Sequence, residues 1–106
     1  MLLLNAFSLN MLPPANPVNC TFRELPPDEA KSILSGRMES AVGHAETANI
    51  LSTILGESVP CNRATVTLPR DGEAVVAQYI GPRLPEGATA LPEGAKIKFY
   101  LIKILC

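Results

Sequence analysis

Residues 73 to 80, Glu-Ala-Val-Val-Ala-Gln-Tyr-Ile, are apolar at nearly every position, the pattern of a strand at the centre of a sheet with cover on both faces. The opening run Leu2, Leu3 and Leu4, leading into Ala6 and Phe7, has the same character and reads as a second fully buried strand. A chain of 106 residues, 47% hydrophobic and 18% charged, has material for one such core and too little for two. Residues 1–106 are therefore expected to form a single small domain.

The remaining elements follow from local pattern. Val18, Cys20 and Phe22 alternate with Asn19, Thr21 and Arg23, which predicts a half-buried strand after the loop containing Pro13, Pro14 and Pro17. Pro26 and Pro27 followed by Asp28 and Glu29 open a short helix that Gly36 stops. Ala48, Ile50, Leu51, Ile54 and Leu55 share one face of a longer helix that begins near His44, with Gly56 as its left-handed cap. Ala64, Val66 and Leu68 alternate with Thr65 and Thr67, so 64–68 and 73–80 are expected to pair as a hairpin across Pro69–Gly72. Ile97 to Ile104 supplies the last strand, ending near Cys106. The expected class is α/β, a mixed β-sheet of about five strands flanked by helices, in the order ββααβββ. Leu84-Pro85-Glu86-Gly87-Ala88 recurs as Leu91-Pro92-Glu93-Gly94-Ala95, and each copy suits a type II turn with Pro at the first corner and Gly at the second.

Charge and cysteine usage exclude several functions. Nine Lys plus Arg against ten Asp plus Glu argue against coating a long nucleic acid by counterion release, so an anionic ligand would need a local pocket. Cys20, Cys61 and Cys106 lack the spacing of zinc or redox motifs and read as reduced thiols, with no metal site and no cofactor implied. No apolar run approaches the roughly 20 residues of a spanning helix, and Met1 to Leu4 lacks the pattern of a signal peptide. A cytoplasmic setting without membrane contact is expected, in a prokaryotic cell or a virus-infected one.

Three sets of residues carry candidate chemistry. His44 is the single histidine, and neither it nor Gly43 offers a capping oxygen, so N–H groups of the first helical turn are expected to be free for an anion. Gly43 would let a ligand approach the backbone closely, and an imidazole, which titrates near neutrality, can protonate a leaving group on a bound phosphate. A carboxylate at Glu46 would repel that phosphate unless it points elsewhere. Asn5, Ser8 and Asn10 follow the first strand, where an open sheet binds ligands, and can bond phosphate, sugar or base without adding charge. Arg63, after Asn62, and Arg83 supply guanidinium forks of the kind that hold phosphate.

Taken together, Leu4-Asn5-Ala6-Phe7-Ser8-Leu9-Asn10-Met11-Leu12, Gly43-His44 with Thr47, Asn62-Arg63, Arg83-Leu84 and Glu86-Gly87 occur in the order seen in the anti-CRISPR ring nucleases that disarm type III CRISPR immunity. The chain resembles that family over most of its length. The resemblance implies a symmetric homodimer whose interface makes one pocket for cyclic tetra-adenylate, which the family cleaves without metal or other cofactor. His44 then matches the catalytic histidine, the general acid for the departing 5′-oxygen. Arg83 and Glu86 match the active-site Arg and Glu, and Asn5, Ser8 and Arg63 match ligand-contacting positions. Two departures stand out: proline-rich Ala88 to Ala95 replaces a longer helix-forming segment, and Pro82 restricts the backbone before Arg83. The competing expectations are a protein that holds the cyclic oligonucleotide without cutting it, and a dimeric interaction protein with no nucleotide role.

Overall fold

The computed structural model describes residues 1–105. In chain order the elements are β1 (Leu2–Leu4), a 3₁₀ turn (Leu9–Met11), β2 (Asn19–Leu25), α1 (Pro27–Leu34), β3 (Glu39–Ala41), α2 (Ala45–Leu55), β4 (Glu73–Ile80) and β5 (Lys96–Leu105). Five strands form one mixed sheet in the order β2-β5-β4-β1-β3. β1 lies parallel to both β3 and β4, whereas β5 pairs antiparallel with β4 and β2. The third cysteine, Cys106, lies outside the described residues; Cys20 and Cys61 are free thiols.

Class and strand number agree with expectation, but the order along the chain is ββαβαββ. Residues 64–68 form no strand and no hairpin with β4. The alternation is real only over 65–68, where Leu68 is buried and Val66 half-buried while Thr65 and Thr67 are exposed; Ala64 is exposed too. The segment lies against the sheet face that carries no helix, and the Leu68 N–H is donated to the carbonyl of Met11, the last residue of the 3₁₀ turn and not of a strand, at 2.7 Å. Period-two burial here reports one-sided packing and not a ladder. The fifth strand is instead β3, three residues at the sheet edge that pair with Leu2–Leu4.

Burial explains why the two apolar runs lie at the middle. Ala74, Val75, Val76 and Ala77 of β4 are all at most 4% exposed, and Leu3 and Leu4 of β1 at most 1%. Leu3, Val75, Ala77 and Phe99 pack on Ala30 and Leu34 of α1 and on Ala48, Leu51 and Leu55 of α2. Leu4, Ala74, Val76, Ile102 and Ile104 form a second layer with Leu68, closed by the loop residues Phe7, Met11, Leu12 and Val66. Each fully buried Leu, Ile, Val or Phe contributes about 1.5–3 kcal/mol relative to exposure, so both layers are needed. β2 is an edge strand and less buried than its alternation implies: Phe22 is 56% exposed and meets Phe7 edge-on, ring centroids 5.7 Å apart.

The helices have the expected ends. α1 starts on Pro27, with Asp28 and Glu29 in its first turn favouring the positive end of the dipole. α2 stops at Gly56, whose φ of 69° is left-handed. Both Pro-x-Gly segments are turns closed by Ala88 N–H to Pro85 O at 3.1 Å and Ala95 N–H to Pro92 O at 3.0 Å. The prolines open these turns, however. Glu86 and Glu93 take the first corner, and Gly87 and Gly94 the second with φ of 76° and 79°.

Candidate active site

Three parallel strands share a direction, so β1, β3 and β4 end on the same side of the sheet, the side on which open α/β sheets bind ligands. Asn5 follows β1, Val42-Gly43-His44 follows β3, and Gly81-Pro82-Arg83 follows β4. Unpredicted β3 is therefore the element that brings His44 to the carboxyl end of the sheet.

Two hollows share His44, Arg83 and Leu84. The larger, about 640 Å³, is also lined by Glu46, Pro85 and Glu86. The smaller, about 340 Å³, is lined by Asn5, Thr47, Gln78, Tyr79 and Gly81 as well. Among the described residues Arg83 has no carboxylate within ion-pair distance, which leaves its guanidinium available to an anion.

His44 is the N-cap of α2, in extended conformation (φ −125°, ψ 119°). Its Nδ1 accepts the Thr47 backbone N–H at 3.4 Å, lies 3.2 Å from Thr47 Oγ1 and 3.5 Å from Glu46 Oε2. This corrects the expectation of free first-turn donors: the imidazole does the work that Ser or Asp usually does at this position. With Nδ1 engaged, Nε2 is the ring nitrogen left for chemistry on a half-exposed side chain.

The Gly43 peptide is held on both sides. Its N–H is donated to Asn5 Oδ1 at 3.3 Å, and its carbonyl accepts Nε and Nη2 of Arg63 at 3.4 and 3.3 Å. What approaches the Gly43 Cα is Arg63, whose Cα, Cβ and Cγ would lie 3.5 Å from an added methyl. Arg63 is itself placed by the loop along β3, where Asn62 N–H reaches Val42 O and Asn62 Nδ2 reaches Ser40 O, both at 2.8 Å.

Glu46 also has defined partners. Its Oε1 accepts the Gly87 N–H at 3.1 Å, linking the first turn of α2 to the Pro85–Ala88 turn that carries Glu86. The Gly87 amide, then the residue's own amide, and to a lesser degree His44 hold its carboxyl below the usual range against an opposing contribution from burial. The carboxylate is thus committed to protein groups.

Of the sequence-derived candidates, His44, Arg83, Glu86 and Asn5 line the two hollows, and Gly43 and Arg63 stand directly behind His44. Ser8 and Asn10 line neither hollow; both are exposed at the 3₁₀ turn after β1. Polar residues outside that candidate set also line the hollows: Glu46, whose place the sequence left open, and Thr47, Gln78 and Tyr79. A polar Gln78 interrupting an apolar strand near its carboxyl end was the available signal for one of them. Among the described residues, no three His, Cys, Asp or Glu side chains gather at metal-binding distance, and no helix is long and apolar enough to cross a membrane.

The solved structure of B116 of Sulfolobus turreted icosahedral virus is similar, with a TM-score of 0.79 and 31% sequence identity over 95% of this chain and 96% of that one. Uncharacterized protein ORF117 of Acidianus two-tailed virus is 40% identical over 63 residues, covering 57% of this chain and 53% of that protein. Uncharacterized protein 26 of Sulfolobus islandicus filamentous virus is 39% identical over 66 residues, covering 61% and 55%. The chain thus spans about half the length of the curated relatives it matches. The STIV B116-like family matches residues 1–101, and the chain belongs to that family of archaeal-virus proteins.

Proposed function

We propose that this protein is a metal-independent ring nuclease that binds cyclic tetra-adenylate and opens it, switching off type III CRISPR signalling. The observation that carries the proposal is the meeting of His44, Arg83 and Glu86 in one hollow although they come from two separate parts of the chain. A general-acid imidazole, an unpaired guanidinium and a carboxylate can together serve RNA transesterification.

RNA brings its own nucleophile. The 2′-hydroxyl attacks the adjacent phosphorus in line with the P–O5′ bond and loses its proton to a base, for which the Glu86 carboxylate is at hand. Arg83 stabilises the added charge on the phosphorane oxygens. His44 delivers a proton from Nε2 to the departing 5′-oxygen, so that each cut leaves a 2′,3′-cyclic phosphate and a free 5′-hydroxyl. Acid–base catalysis contributes roughly 10²–10⁴-fold and enforced in-line geometry several orders more, enough for a site without a metal. In a two-fold homodimer, two copies of His44 face a ring of four phosphates, and cuts at opposite bonds yield two linear di-adenylates.

The deciding experiment incubates labelled cyclic tetra- and hexa-adenylate with the protein in the presence of EDTA and identifies the products by mass. His44→Ala is expected to keep binding while cleavage falls by at least about 100-fold. Undiminished cleavage by that variant would remove His44 from the mechanism. Tight binding by the wild-type protein with no cut product would replace the nuclease with a protein that sequesters the ring.

A further inference from the structure

We infer that Glu46 is a positioning residue whose two carboxylate oxygens set the placement of the proposed acid and of the loop opposite it at the same time. Oε1 holds the Gly87 amide at 3.1 Å, and Oε2 stands 3.5 Å from Nδ1 of His44. The side chain is 19% exposed, and its partners stand 41 residues from Glu46 in sequence on the loop side and two on the helix side. The catalytic meaning of this clasp rests on the nuclease reading; the clasp itself does not.

Two consequences follow from the geometry. Glu86 and Gly87 are the two corners of one turn, so fixing the Gly87 amide fixes the peptide from which the Glu86 side chain springs. Arg83 lies two residues before that turn, and its own side chain has no partner to hold it among the described residues. On the helix side, neutral His44 uses Nδ1 to cap Thr47, and cationic His44 must give that bond up because Nδ1 then carries a proton. Glu46 Oε2 and Thr47 Oγ1 are the acceptors within reach of that proton. A carboxylate at this place gives the Nδ1 side of the ring a partner and so keeps the ring facing the hollow. The other charged groups lining the hollow are Arg83, which forms no ion pair with Glu46 among the described residues, and Glu86, which carries the same sign of charge.

Glu46→Gln and Glu46→Ala separate the two oxygens' duties. Gln retains a carbonyl acceptor for the Gly87 N–H but no charge for His44; Ala has neither. In proton–nitrogen spectra, the Gly87 amide is expected near its wild-type position in Gln and shifted toward solvent-exposed values in Ala. The imidazole nitrogen signals should change in both. With cyclic tetra-adenylate and EDTA, Gln should lose about tenfold in kcat with little change in KM, and Ala should lose kcat and also raise KM several-fold. Unmoved Gly87 and His44 signals in Ala would overturn the clasp, and wild-type kcat in Gln would overturn its effect on the acid. If the wild-type protein leaves the ring intact, the nuclease reading fails on its own, and the two spectral readouts still decide whether Glu46 holds both partners.

Discussion

Asn5 accepts the backbone N–H of Gly43 at 3.3 Å, which ties the end of β1 to the residue immediately before the proposed acid. The neighbouring strands β1 and β3 run parallel, so this side-chain bond carries their association past the last ladder pair, Leu4 and Ala41, by one residue on β1 and two on β3. Asn5→Ala removes the acceptor and leaves a half-buried N–H without it. A loss of about 1 kcal/mol is expected, seen as a thermal midpoint lower by about 4–8 °C in a domain of this size. Asn5→Asp, which keeps the acceptor, should recover most of that loss, and an unchanged midpoint in Asn5→Ala would show that the bond contributes nothing.

Gly43→Ala is expected to fold with nearly wild-type stability. The added methyl meets Arg63 atoms at 3.5 Å, an ordinary contact, and no left-handed φ is required there. Unfolding in urea should give a midpoint close to that of the parent. Gly56→Ala is the contrasting variant, because a φ of 69° disfavours any Cβ and a cost of about 1 kcal/mol is expected.

Acid should release the Glu46 clasp. The folded carboxyl sits below its ordinary value of 4.5, so its contribution is complete above that value and is lost as pH falls through the lower folded one. The Gly87 amide proton is expected to titrate with a midpoint below 4.5, and the titration should vanish in Glu46→Gln. A midpoint at or above the ordinary value would contradict the hydrogen bond.

Phe99→Ala should be the most damaging of these changes. Phe99 is 1% exposed, lies on β5 among Val75, Ala77 and the apolar faces of both helices, and leaves a cavity when truncated. The expected cost is about 3–5 kcal/mol, a large fraction of a typical domain's 5–15 kcal/mol. Chemical denaturation measures it directly.

Local pattern made some elements legible and left others hidden. α2 was readable from end to end because five apolar residues recur on one face and a glycine closes it, all within 12 residues that need no distant partner. β4 was readable as central because both of its faces are covered, Val75 and Ala77 by the helices and Ala74 and Val76 by the layer around Leu68, so nearly every position is apolar. Glu39-Ser40-Ala41 carried no such mark: three residues with one exposed and two half-buried have no periodicity, and only pairing with β1 makes them a strand. The same holds in the site. His44 drew attention as a lone imidazole at a helix start, whereas the part played by Glu46 depends on an amide 41 residues away that no spacing rule connects to it.

Each of β1, β3 and β4 releases one loop at a common rim, behind which the ladders run undisturbed. Segments there can lengthen or be exchanged by grafting while the frame stays in register. The shape of the candidate site can therefore change through three short pieces of chain, with no need to redesign the scaffold.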